Sequence, residues 1–231
     1  MRLQSRAWWV TGLALLFSTG GATGQGTFQN LGFESANLSP IPPGQYGGFV
    51  PITDALPGWS GYIGANQVTT VLQNAVALGD ASIILLGPNW SFGDIIEGQY
   101  TLDLQPGDDP FGSSQLVGAS ISQSGVVPGN AQSLEFKANI FCSFSVSLGG
   151  QALSIIPLGT GANYTLYGAN ISPLFAGQVE TLVISALPGH SSSDYFDSFV
   201  FSSSSVPEPS TLVLSALGAL LAGWRVLRRR R

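Results

Sequence analysis

The sequence predicts an all-β domain of sandwich or barrel type, and three observations lead there. About nine or ten short apolar or alternating runs are separated by regular turn signals. Glycine is abundant, at 30 residues, and Pro-Gly and Gly-Gly pairs recur between the runs. No stretch of the middle sustains a helical period. The chain is too apolar for disorder, at 44% hydrophobic residues, and about 180 residues can build one substantial core.

The first 24 residues read as a secretory signal peptide. Arg2 and Arg6 form a basic start, Ala7 to Phe17 a short apolar stretch, and Ala22-Thr23-Gly24 a small-residue cleavage region. Eleven apolar residues are too few to span a bilayer. The predicted mature domain runs over residues 25–201.

It opens with Asn30-Leu31-Gly32-Phe33-Glu34, followed by a Pro- and Gly-rich loop from Ser39 to Gly48. Leu56-Pro57-Gly58-Trp59 is a turn with a tryptophan placed to enter the core. Ser82 to Leu86 is a strand-type run, and Gly98 to Leu104 alternates with period two. Strand, turn and strand follow from Gly118 to Ser147, with a break expected near Cys142, where the alternation fails. Gly149-Gly150 turns the chain again. Further strands are expected at Ala152 to Leu158, Tyr164 to Tyr167, Thr181 to Ala186 and Asp194 to Phe201. Residues 202–205 are four serines and read as a flexible linker.

The tail, residues 206–231, has three parts in order. Val206-Pro207-Glu208-Pro209 comes first. An uncharged run of fifteen residues follows, from Ser210 to Trp224, and then Arg225 with Arg228, Arg229, Arg230 and Arg231. Arginines beyond an apolar run act as a membrane stop. The fifteen residues give roughly 22 Å of helix against a hydrocarbon core of about 30 Å. The run is thus short for a lasting anchor, although arginine snorkelling would narrow the gap.

This arrangement resembles the PEP-CTERM sorting signal of Gram-negative-type bacteria. The resemblance implies an exported protein whose precursor is held in the membrane by a C-terminal transmembrane helix. It also implies partners: a signal peptidase and an exosortase-type transpeptidase acting near Pro207-Glu208-Pro209. The destination would be the cell envelope, cell surface or extracellular polysaccharide matrix.

A second resemblance covers the middle. Asn30 to Glu34, Pro57-Gly58-Trp59, Ile121 to Phe136 and Asp197-Ser198-Phe199-Val200-Phe201 are similar, in order, to landmarks of carbohydrate-binding-module jelly rolls with the galactose-binding-like fold. The resemblance implies a jelly-roll β-sandwich. It also implies a structural calcium near Glu34 and Asp197, where six to eight oxygens would be needed. Two side chains alone do not supply them.

Charge is segregated. Residues 25–205 carry twelve acids and one base, Lys137, a formal −11. That excludes nucleic acid, whose binding rests on clustered Lys and Arg, and disfavours the domain body for an anionic membrane surface. A lone cysteine, Cys142, excludes an internal disulfide, and with a lone histidine, His190, it removes the usual zinc sites. Cys142 reads as a small buried residue. His190 beside Ser191 to Ser193 and Asp194 is adjacent in one loop, which is not how triads assemble. Asp103, Asp108, Asp109 and Glu97 are the acids a glycan hydrolase would draw on; Asp108-Asp109 lies in a turn context and reads as a solvated loop. The expectation is a non-catalytic structural or adhesive protein. The alternative is a carbohydrate-binding module that stacks sugars on Trp90 and Tyr62, and a secreted glycan hydrolase comes third.

Overall fold

A computed structural model describes residues 27–90 and 95–207. The proposed signal peptide, Glu208 to Arg231 and the transmembrane helix expected there lie outside the described residues. Among the described residues no helix is long and apolar enough to cross a membrane.

The strands, in chain order, are β1 (Phe49–Pro51), β2 (Ser60–Ile63), β3 (Asn66–Val68), β4 (Thr70–Gln73), β5 (Ser82–Leu86), β6 (Thr101–Gln105), β7 (Gly107–Asp108) and β8 (Leu116–Val117). They continue as β9 (Ala119–Val126), β10 (Ser133–Asn139), β11 (Phe144–Leu148), β12 (Gln151–Ala152), β13 (Ile156–Thr160), β14 (Thr165–Asn170), β15 (Val179–Ala186) and β16 (Asp194–Ser202). The only helical pieces among the described residues are the four-residue α1 (Ile52–Ala55) and a single 3-10 turn at Pro173–Phe175.

Two sheets carry the architecture. The eight-stranded sheet runs β1-β4-β5-β6-β16-β10-β14-β13, and the six-stranded sheet runs β12-β11-β15-β9-β2-β3. Their facing residues form one apolar cluster. Ile83, Leu85, Leu102, Leu104, Leu134, Phe136 and Phe196 come from the first sheet; Ile121, Val146, Leu148, Leu182 and Ile184 come from the second. Strict alternation produces this on the six-stranded side. In β9, Ala119, Ile121, Gln123 and Gly125 are buried, while the residues between them are partly or fully exposed. Each large aliphatic side chain removed from water there contributes about 1.5–3 kcal/mol. Phe136 stacks on Phe199 with ring centres 4.8 Å apart, which ties β10 to β16 at the centre.

The sequence-predicted break near Cys142 is the gap between β10 and β11. The strand expected at Ala152 to Leu158 is instead two strands, β12 and β13, belonging to different sheets. Two Gly residues in left-handed conformation, Gly149 (φ +58°) and Gly150 (φ +75°), turn the chain between β11 and β12.

The linker expected at residues 202–205 differs most. Ser202 is still strand, and its carbonyl accepts the Gln132 amide at 2.8 Å. Ser133 Oγ donates to the Ser204 carbonyl at 2.7 Å. Val206 is 4% exposed. The Asn170 side chain pairs with its backbone at both atoms: Val206 N donates to Oδ1 at 2.7 Å, and Nδ2 donates to Val206 O at 2.9 Å. The folded domain therefore continues to Val206. Serine composition suggests a solvated spacer, but the Ser202 and Ser204 carbonyls find donors at Gln132 and at Ser133 of β10.

Candidate functional site

The four sequence landmarks converge. Gln123, an inward-facing polar residue on β9, is satisfied at three points. Its Nε2 donates to Gln29 O (3.0 Å) and Gly58 O (2.9 Å), and its Oε1 accepts Gln29 N (2.6 Å). Trp59 is buried, and its ring N–H donates to Asn30 O at 3.1 Å. Phe33 packs against Trp59 and Phe199, and Phe199 N donates to Leu31 O at 3.0 Å. The opening segment is thus stitched to the β1–β2 turn, to β9 and to β16. Trp59 is core, not a sugar platform.

Glu34 and Asp197 meet the same stretch of backbone. Both Glu34 carboxylate oxygens accept the Gln99 amide, at 3.0 and 3.1 Å, and Oε1 also accepts Tyr100 N at 3.1 Å. Asp197 Oδ2 accepts Thr101 Oγ1 at 2.9 Å and Glu97 N at 3.2 Å. Gly98 (φ +64°) lies against Glu34, where a Cβ would strike its carboxylate. Glu97 bonds Ser198 Oγ and forms an ion pair with Lys137 at 2.7 Å. Those two partners, the Lys137 contact first, hold its carboxyl below the usual carboxylate range. Asp197 is 1% exposed, and burial pushes its carboxyl up to about 6, against the pull of its hydrogen-bond donors. Three non-glycine residues around this junction sit at positive φ: Asn30 (51°), Phe33 (60°) and Ser198 (52°). Such backbone costs of order 1–3 kcal/mol each and marks a place the surrounding structure over-determines.

The calcium expectation can be held against this donor set. Glu34 and Asp197 do face one segment. Among the described residues no group of three acid, His or Cys side chains gathers anywhere. An ionised carboxylate oxygen has lone pairs beyond those used by N–H groups, so these two residues fit a cation only with main-chain carbonyls and water completing the shell.

The aromatic candidates lie apart. Tyr62 is half-buried on β2 of the six-stranded sheet, opposite Gln67 and Ser120. Trp90 follows β5 of the other sheet. It is half-buried rather than exposed, with its ring edge-on to Tyr46 at 6.3 Å.

Residues singled out for catalysis are brought together only in part: Asp103 meets Ser193, and the adjoining Asp194 meets Cys142. His190 is exposed in a loop. Asp194 is fully buried and accepts Phe141 N (2.7 Å), Cys142 N (2.9 Å) and the Cys142 thiol (2.9 Å). It organises the gap between β10 and β11. Cys142 is half-buried, and burial first, then Asp194, pushes its thiol up to about 12, which favours the thiol over the thiolate. Asp103 is buried on β6, where Oδ2 accepts Ser193 Oγ at 3.0 Å. Asp109 closes its own loop by accepting Phe111 N and Ser113 N; the Ser113 side chain first, then the Phe111 amide, lower its pKa.

Sequence reasoning missed a cavity of about 520 Å³ at the open edge where β2 and β3 of one sheet approach β4 and β5 of the other. Phe49, Phe111 and Leu78 line it and are well exposed, at 76%, 57% and 93%. Ser82 lines it too. Its hydroxyl is buried and has no hydrogen-bond partner within the protein among the described residues. The signal lay in Phe49 and Phe111, large apolar residues flanked by Gly and Pro.

The geometry defines an all-β domain in which the pairing at Val206 stands just before the C-terminal segment. Residues 205–231 match the PEP-CTERM protein-sorting motif. That motif marks an exported protein with a membrane-anchored precursor and exosortase-mediated processing. No curated protein matches the chain. Among solved structures, one similar chain is a carbohydrate-binding module, TmCBM61, in complex with β-1,4-galactotriose. It shares 13% identity over 76% of this chain and 97% of that one, with a TM-score of 0.41. Another is the apo form of a cyclase from Fischerella sp., with 16% identity over 76% and 93% and a TM-score of 0.45. Both likenesses are shallow.

Proposed function

We propose that this is a non-catalytic structural or adhesive protein of the bacterial envelope or extracellular matrix. In this reading a jelly-roll β-sandwich is exported behind a signal peptide and released or transferred through its C-terminal motif. The observation that carries it is the match of residues 205–231 to the sorting motif, starting where the folded domain ends. Replacing Pro207 and Pro209 with alanine in the host tests it. The altered precursor is expected to accumulate in the membrane fraction, and an unchanged distribution would remove the sorting reading.

A second reading, glycan binding, is supported by the open-edge cavity. Phenylalanine rings offer apolar faces for sugar C–H groups, and Ser82 and Asp80 offer polar partners. In this reading Phe49 and Phe111, rather than Trp90 and Tyr62, carry the contact. A polysaccharide pull-down with residues 25–207 decides between the two readings. Binding lost in Phe111→Ala supports the second, and no binding to any glycan leaves the first.

Structural calcium belongs to this proposal as well. Glu34 and Asp197 would hold it at the Glu97–Thr101 segment, where it would offset the buried charge of Asp197 and bind only the folded form.

A further inference from the structure

We propose that the end of the domain from which the tail leaves is a bilayer-contacting face, and that the precursor stands on it. This rests on the reading of Ser210 to Trp224 as membrane-inserted.

The strand register defines two opposite ends. Ser82 pairs with Gln105 and Asp194 with Leu104, so β5 begins, β6 ends and β16 begins at one end. At the other, Ser202 pairs with Ser133 and Ser133 with Asn170, while in the second sheet Val126 pairs with Val179. Residues 127–132, 171–178 and 202–207 meet at that second end, toward which the β5–β6 connection bearing Glu97 also leaves. They are laced together by Gln132 N to Ser202 O (2.8 Å), Ile171 N to Gln132 O (3.0 Å), Val127 N to Gln178 O (2.9 Å) and Gly177 N to Val127 O (3.0 Å).

Their chemistry differs from that of the rest of the domain. Across a chain whose middle holds twelve acids, these three segments contain no charged residue. Glu208 follows the last of them in the tether, and the other acids nearest in sequence, Glu135 and Glu180, stand on the strands behind them. Leu174, at the tip of 171–178, is 82% exposed. The opposite end carries Asp80, Asp108 and Asp109. An anionic leaflet repels the acidic end and leaves the patch formed by these three uncharged segments free to approach. An apolar side chain at its tip gains by entering the interface.

The tether fixes the distance. The Asn170–Val206 pairing holds the chain to the domain as far as Val206. Only Pro207, Glu208 and Pro209 separate Val206 from Ser210. Fully extended, those four steps span at most about 14 Å. With Ser210 at the membrane surface, no other end of the domain can face the bilayer.

The test uses the chain from Gln25 to Arg231 in vesicles of phosphatidylethanolamine and phosphatidylglycerol. A Cys142→Ser background keeps a hydroxyl donor for Asp194 and frees labelling for Leu174→Cys or Leu78→Cys. Leu78 is 93% exposed in the loop before β5, at the acidic end. With an environment-sensitive fluorophore at each site, headgroup-nitroxide lipid is expected to quench position 174 severalfold more than position 78. In unlabelled protein, amides of 171–178 are expected to exchange more slowly on vesicles than in detergent, and those of 76–81 are not. Protein that co-floats with vesicles but shows equal quenching and no local protection overturns the face assignment and leaves the inserted tail standing. Protein that fails to co-float overturns both.

Discussion

Asn170 holds Val206 as a neighbouring strand would, accepting from its amide at 2.7 Å and donating to its carbonyl at 2.9 Å. A side-chain amide thus completes a backbone pairing one residue before the Pro-Glu-Pro triplet. Asn170→Ala leaves both Val206 groups without these partners. A loss of about 1–3 kcal/mol in unfolding free energy is expected from denaturant titration. Limited proteolysis should also open a new site between Ser203 and Val206. A variant of wild-type stability and cleavage pattern would show that the pairing contributes nothing.

Gly98 is expected to tolerate no side chain. Its φ of +64° disfavours any other residue, and a Cβ would collide with the Glu34 carboxylate that holds Gln99 and Tyr100. Gly98→Ala should destabilise by about 1–3 kcal/mol, combining backbone strain with the displaced carboxylate. Differential scanning calorimetry measures it, and an unchanged melting temperature would contradict the placement of Glu34.

Asp197 gives a pH dependence of unusual sign. Its carboxyl rises from 3.8 to about 6 on folding, so the folded state binds more protons across that window. The stabilising contribution is full below the unfolded value and is lost as pH rises through about 6. It corresponds to about 3 kcal/mol. In calcium-free buffer Asp197→Asn is expected to remove this slope between pH 4 and pH 7, read by denaturant titration at several pH values. A slope as steep in the variant as in the wild type would assign it elsewhere.

Calcium at the same junction predicts a linked effect. Excess EGTA is expected to lower the melting temperature of the purified domain, and Glu34→Gln together with Asp197→Asn is expected to abolish the response. Identical melting curves with calcium and with EGTA would remove the metal from the account.

Much of the fold was legible because burial writes itself into alternation. Ser82 to Leu86 is a strand with the bounds its composition suggested, and the Leu134, Phe136, Ala138 face of β10 is buried as its period indicated. β3 and β4 were not read, because Asn66 to Gln73 is largely polar; β3 is an edge strand, and β4, flanked by β1 and β5, fully buries only Val71 and Gln73. The roles of Asn170, Gln123 and Asp194 were also hidden. Each works through partners far away in sequence, and a polar residue carries no periodic mark of the contact it will make. Trp59 enters the core as its turn context indicated, whereas the role of Gln123 was not read. Trp59 and Gln123 hold the opening segment in place, and the cavity between Phe49 and Phe111 forms only when the two sheets meet.

In the proposed reading the C-terminal segment is a sorting signal attached directly to a domain that is paired as far as Val206. Intact-mass spectrometry of the protein recovered from the host's envelope or matrix tests it most directly. The account predicts a chain that keeps Val206 and has lost the arginine cluster Arg228 to Arg231. A mature chain that retains the whole tail, or one that ends before Ser205, would contradict it.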